Sequence, residues 1–162
     1  MSFDPIKNFY KEIGCNHDLI AEIVIGEKYV AVMLKNGQIG VCATLQHELE
    51  KISTCFKPDF RKIAHRIVYN AYLNAVLNYD NEYSEQRDIF DEIDFSKYEK
   101  VVMIGYFRSL NEKFIKKGLT PVIFDKAGTG SYLTDMTGQK DNLANASAAI
   151  ITGTSMFNRT FS

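Results

Sequence analysis

No run of apolar residues in this 162-residue chain approaches the ~20 needed to cross a bilayer, which excludes a helical transmembrane protein. An excess of either charge is also missing. Lys and Arg total 19 against 20 Asp and Glu, a net charge of −1, so there is no global pull on nucleic acid or on anionic lipid. Cysteine is scarce and odd in number: Cys15, Cys42 and Cys55. An odd count, with a start that lacks the basic-then-apolar plan of a signal peptide, argues against a disulfide framework and for a reducing, cytoplasmic setting. Neither Cys15-Asn16-His17 nor Cys42…His47…Cys55 has the spacing of a zinc finger, so the thiols read as structural. His17, His47 and His65 have no triad partner in any motif and read as surface residues. The glycine patterns of a dinucleotide fold and of a P-loop are absent too.

What is there divides in two. Asp4 to Gly14 reads as a short helix, with Asp4 placed to cap, Pro5 at the first turn and Gly14 at the stop. Leu19 to Ile25, Lys28 to Lys35 and Gln38 to Leu45 read as strands of an antiparallel meander. Their connections, Gly26-Glu27 and Asn36-Gly37, have the length and residues of hairpin turns. A polar crossing from Gln46 to Pro58 leads to a long helix, expected from Asp59 to Tyr79 with Asp59 as its cap. Ile63, Ala64, Ile67, Val68, Ala71 and Ala75 give it an apolar stripe able to cover one face of the strands. Asn70, Asn74 and Asn78 recur at four-residue spacing, and Asn74 and Asn78 fall within that stripe. Each needs a partner or a polar cavity, because a buried amide left unpaired costs about 1–3 kcal/mol. Asn74 is thus either hydrogen-bonded to the sheet or facing a cleft between domains.

Residues 1–80 form an α+β domain on this reading, residues 81–99 an acidic linker packed over the surface through Phe90, Ile93 and Phe95, and residues 100–162 a second domain. Val101 to Gly105 is a continuous apolar run, the pattern of a parallel strand buried on both faces. Ser109-Leu110-Asn111-Glu112 has the form of a capping box and opens a helix ending at Lys116-Lys117-Gly118. Thr120 to Asp125 and Ala148 to Thr152 are the next strands, and the long loop between them reads as a lid or a cover.

In parallel sheets, ligands bind beyond the carboxyl ends of the strands. Three features converge there: the Gly105-Tyr106-Phe107 turn, Asp125, and Thr152-Gly153-Thr154-Ser155 followed by Asn158 and Thr160. Gly105 and Asp125 have the separation of a dinucleotide site. Bulky Tyr106 and Phe107, however, stand where a pyrophosphate needs bare backbone. The Thr152 turn offers amides and hydroxyls to an anion or a polar small molecule, or simply ends a strand and caps a helix.

Val101-Val102-Met103-Ile104-Gly105-Tyr106-Phe107 and Ile150-Ile151-Thr152-Gly153-Thr154-Ser155-Met156-Phe157-Asn158-Arg159-Thr160 resemble the bacterial and archaeal family described as putative heavy-metal chelation. Ala71-Tyr72-Leu73-Asn74-Ala75 resembles its N-terminal part. The resemblance implies an enolase N-terminal-like α+β domain followed by a Rossmann-like domain, here shortened because the sequence stops at Ser162. It implies a ligand site built from both domains with Asn74, Gly105, Phe107, Asp125, Thr152, Gly153, Thr154 and Asn158 as its candidates. The expected ligand is a polar small molecule or a metal complex, with no catalytic role assigned. The alternative is a shortened interaction module completed by oligomerisation. A short second domain rich in apolar residues is expected to leave a sheet face wet, and a homodimer would cover it.

Overall fold

The computed structural model describes residues 4–79, 87–126 and 128–158. The chain divides into two compact units, Met1–Tyr83 with Met156–Ser162, and Ser84–Ser155. No helix among the described residues is long and apolar enough to cross a membrane.

The first unit opens with α1 (Pro5–Ile13), which Gly14 stops at φ +73° while its N–H bonds the Tyr10 carbonyl. Strands β1 (Ile20–Ile25), β2 (Tyr29–Leu34) and β3 (Ile39–Ala43) form an antiparallel sheet in the order β1-β2-β3. The β2–β3 connection is not the two-residue turn expected: Gly37 takes φ +87° while Asn36 does not. The Gly37 N–H bonds the Leu34 carbonyl and the Leu34 N–H the Gln38 carbonyl. Lys35, Asn36 and Gly37 thus form a three-residue turn closed by a glycine bulge, with the Asn36 side chain accepting from the Gln38 N–H. Alternation sends Val30, Val32, Leu34 and Cys42 inward, against helix α2 (Ile63–Leu77). Gly40 has no side chain because α2 rides directly on it. A Cβ there would collide with the helix backbone at Ala71 and Ala75.

α2 starts four residues later than the sequence suggests. The Asp59 carboxylate accepts from the backbone N–H and the guanidinium of Arg61, which closes a local turn in place of a helix cap. The helix begins only where the apolar stripe begins, at Ile63.

In the second unit, α3 (Ile89–Glu92) and a 3-10 turn at Phe95–Lys97 precede β4 (Val101–Ile104), α4 (Arg108–Lys116) and β5 (Val122–Phe124). A 3-10 turn at Met136–Gly138, α5 (Gln139–Ala144) and β6 (Ala148–Ile151) follow. The strands are parallel in the order β5-β4-β6. β4 is central, which is why all its residues are buried. Strand alternation divides its side chains. Val101 and Met103 pack with Ile123, Phe114 of α4, Phe90 and Phe95. Val102 and Ile104 pack with Phe124, Met136, Leu143 and Ala146.

Three expectations change here. The acidic stretch after residue 86 is part of the second unit, because Phe90 and Phe95 are core residues packed edge-on and tilted against Phe114, with ring centres 4.7 and 5.0 Å away. The rest of that stretch, residues 80–86, lies outside the described residues, as do Arg159, Thr160 and Phe161. The sheet face expected to be wet is covered: α3 and α4 lie on one side, and the long loop supplies Met136, Leu143 and Ala146 to the other. Helix α4 also begins at Arg108 behind Phe107, so Ser109 is inside the helix. Glu112 pairs with Arg108 at 3.0 Å and does not complete a capping box.

Candidate functional site

The carboxyl end of β4 is a Gly105 turn at φ +85°, with the Gly105 N–H bonded to the Phe124 carbonyl at 2.7 Å. A Cβ on Gly105 would lie 2.5 Å from Cγ2 of Thr152. The turns after β4 and β6 therefore touch, with the Thr152 N–H donating to the Ile104 carbonyl at 3.0 Å. Thr152 Oγ1 stands 3.1 Å from Thr154 Oγ1 and accepts from the Thr154 N–H at 3.4 Å. Gly153 between them has open space around its Cα. α6 (Thr154–Phe157) follows, and the Ser155 N–H bonds the Thr152 carbonyl. Ser155 Oγ is fully buried with no hydrogen-bond partner among the described residues.

Asp125 ties the ends of β4 and β5 together. Its Oδ2 accepts from the Tyr106 N–H at 2.7 Å and its Oδ1 from the Gly128 N–H at 3.1 Å. Those carboxylate oxygens hold backbone, where a dinucleotide fold would have the acid face a ribose. Phe107 precedes α4 and its carbonyl accepts from the Asn111 N–H. Tyr106 stacks on Tyr132 of the long loop, with ring centres 4.5 Å apart. This aromatic pair is not legible in the sequence, since neither spacing nor periodicity links the two positions.

Gly105, Phe107, Asp125, Thr152, Gly153 and Thr154 thus belong to the second unit, whereas Asn74 and Asn158 belong to the first. Asn74 Nδ2 donates to the Val41 carbonyl at 2.8 Å, the sheet bond that was one of its two readings. With Tyr79, whose hydroxyl bonds Ile39 N–H and C=O, it occupies backbone groups on the outer edge of β3. Asn70 donates to Cys42 Sγ at 3.3 Å, while its buried Oδ1 has no partner among the described residues.

A metal needs a set of donors. All the cysteines and histidines of the chain are described, and no group of three His, Cys, Asp or Glu among the described residues could hold an ion. Burial pushes the thiols of Cys15 and Cys42 up to about 11, which keeps them protonated at neutral pH. His17 Nδ1 lies 3.2 Å from the Thr54 carbonyl, and His65 Nδ1 accepts from the Asp59 N–H at 2.9 Å. Phe56 packs edge-on against both imidazoles. These two rings are half-buried fixtures of the core margin, not the surface residues expected; His47 alone of the three is exposed. The described residues bring together no donor set for a chelated heavy-metal ion.

A feature the sequence did not announce lies at the end of β3. Leu45 and Gln46 both have positive φ, at +50° and +62°. They border a surface concavity of about 490 Å³ lined in part by Glu27, Tyr29, His47 and Glu48.

Residues 10–78 match one family model, DUF4213, and residues 88–162 match another, DUF364; both carry the description putative heavy-metal chelation. The comparison with curated proteins finds no match. Among solved structures, the chain is similar to a protein of unknown function from the DUF364 family of Pyrococcus horikoshii. The two share 19% identity at a TM-score of 0.74, over 98% of this chain and 71% of that one. It is similar also to a DUF364 protein of unknown function from Desulfitobacterium hafniense, at 15% identity and a TM-score of 0.70, over 99% of this chain and 72% of that one. At these identities the likeness speaks for the fold, a mixed α/β arrangement with one antiparallel and one parallel sheet. With both of its segments matched, the chain belongs to the family described as putative heavy-metal chelation.

Proposed function

We propose that the chain binds a polar small molecule, or a metal ion already complexed by one, at the carboxyl end of its parallel sheet. In this reading the second unit is a Rossmann-like domain and the first an enolase N-terminal-like domain. The observation that carries the proposal is the meeting of Gly105 and Thr152. The chain runs from β4 outward to β5 and returns to β6 on the other side of β4. The strand order therefore reverses between β4 and β6, where ligands of such sheets bind. At that point stand the Gly105 turn, the open Gly153 backbone and the hydroxyls of Thr152 and Thr154. These are uncharged donors and acceptors, suited to hydroxyl, carboxylate or phosphate oxygens of a small molecule. Asn74 and Asn158 are not needed for it.

A metal enters this site as cargo held by its own chelator, because the chain supplies no donor set among its described residues. Thermal melting in the presence of citrate, zinc citrate and AMP tests the reading. One of these probes raises Tm in a saturable way, and Thr154→Val, which keeps the shape but loses the hydroxyl, removes most of that rise. A rise that Thr154→Val and Gly153→Val both leave untouched contradicts it.

A further inference from the structure

The first unit has an apolar sheet face with nothing of that unit packed on it. In β1, β2 and β3 the side chains opposite to α2 are Val24, Tyr29, Ala31, Met33, Ile39 and Val41, and none of them joins the core cluster. Tyr29 is 60% exposed, Val24 52%, Val41 48% and Ile39 47%. The register groups them. Val24, Ala31 and Val41 form one row across the sheet, and Met33 lies beside Ile39 in the next. Glu22, opposite Met33, is the charged side chain at the margin of this face.

We propose that this face is the interface of a homodimer, in which it packs against the same face of a second copy. Its chemistry selects that occupant. It offers no basic residues for nucleic acid or anionic lipid and no array of charges for an oppositely charged protein, whereas an identical apolar sheet matches it. Two copies do not repel each other, since the chain carries a net charge of only −1. The exposed apolar area is on the order of 500 Å² per copy, so a pair would bury roughly 1,000 Å², the lower limit of a specific interface. Sheets pack face to face at about 10 Å, and a two-fold axis makes one patch its own complement.

The structure also disfavours strand addition at β3, one of the two edges of this sheet. Strand addition at β3 needs free backbone groups on its outer edge, and three of these are taken, the Ile39 N–H and C=O by Tyr79 and the Val41 C=O by Asn74. Face packing leaves those bonds in place. The ligand-site residues of the second unit play no part, so this inference stands or falls separately from the proposed function.

Sedimentation equilibrium of the full chain over a micromolar concentration range tests it. The expected mass tends to twice 18.4 kDa as concentration rises. Val41→Glu and, independently, Val24→Lys weaken association by at least roughly tenfold while circular dichroism and Tm stay close to wild type. Both positions are half exposed, so either substitution is compatible with folding. A mass of 18.4 kDa at every concentration overturns the proposal. So does a dimer that both substitutions leave intact, or one dissociated instead by Ile151→Lys at the exposed edge strand β6 of the second unit.

Discussion

Arg66 and Asp4 face each other through paired hydrogen bonds, Nη1 to Oδ2 at 2.8 Å and Nη2 to Oδ1 at 2.9 Å, with the guanidinium almost wholly removed from water. Arg66 spends its remaining donors on main-chain carbonyls of Phe157 at 2.6 Å, Met156 at 3.0 Å and Phe60 at 3.3 Å. One buried side chain thereby joins the start of α1, the approach to α2 and the segment that follows the Thr154 turn. A fully bonded guanidinium tolerates burial, whereas removing its counter-charge strands it.

Asp4→Asn is therefore expected to cost about 3 kcal/mol at neutral pH, the usual result of breaking one side of a buried pair. The pH dependence has a definite sign. Burial by itself raises the Asp4 carboxyl, but the hydrogen bonds and charge of Arg66 outweigh it and hold the group below its ordinary value of 3.8. A depressed carboxyl stabilises the fold above its unfolded pKa and loses that contribution as pH falls through its folded pKa. Thermal melts of wild type and Asp4→Asn should converge as pH drops below 3.8. A gap independent of pH would show that charge is not what Asp4 contributes.

Gly105 and Thr152 make a second coupled pair. Gly105→Ala places a methyl group against Thr152 Cγ2 and forces a Cβ into a φ of +85°, at an expected cost of about 2 kcal/mol. Thr152→Ser removes the obstructing methyl and keeps the hydroxyl. The double variant should recover the steric part of the loss and retain the backbone part, so the two substitutions are non-additive in a urea-unfolding cycle. Simple additivity would mean that the turns do not touch in solution.

Much of this architecture is written in local patterns. Asn36-Gly37 and the alternation of Val30, Val32 and Leu34 define the meander, and the unbroken run Val101 to Ile104 marks a strand covered on both sides. The convergence of Gly105, Asp125 and Thr152 follows from the rule for strand ends. What escaped has a physical reason in each case. The burial of Arg66 is invisible because its compensating groups are main-chain carbonyls about 90 residues away. The cores around Phe90 and Leu143 lie in stretches too polar and too short to show periodicity. Asn74 sits in the apolar stripe without being wrapped in it, because the groups it serves are on the edge of β3.

The turn at Leu45 and Gln46 is closed by the His47 N–H to the Thr44 carbonyl at 3.1 Å. Both central residues carry the positive φ that Asn and Gly adopt far more readily. Replacing them with Asn-Gly is expected to stabilise the chain by about 1 kcal/mol or more, measured by urea unfolding. A loss of stability would show that the side chains of Leu45 and Gln46 make compensating contacts.

Cadmium reports on thiolate ligation through its sulfur-to-metal absorption. Cys42 is buried, Cys15 half-buried and Cys55 exposed, and they belong to no common donor set. Titration with free Cd²⁺ should give at most a weak signal from Cys55, abolished by Cys55→Ser. A stoichiometric, tight signal that survives Cys55→Ser would reinstate a protein-built metal centre.

A polar ligand bound where β4 and β6 end would be felt first by the backbone amides of those two turns. Backbone amide NMR of the full chain, titrated with citrate, zinc citrate and AMP, tests this site most directly. Saturable shifts are expected for one of these probes, concentrated at residues 105–108 and 152–155, the turns that meet through Gly105 and Thr152. Shifts absent from those amides with all the probes, or saturating only around Glu27, His47 and Glu48, would contradict such a site.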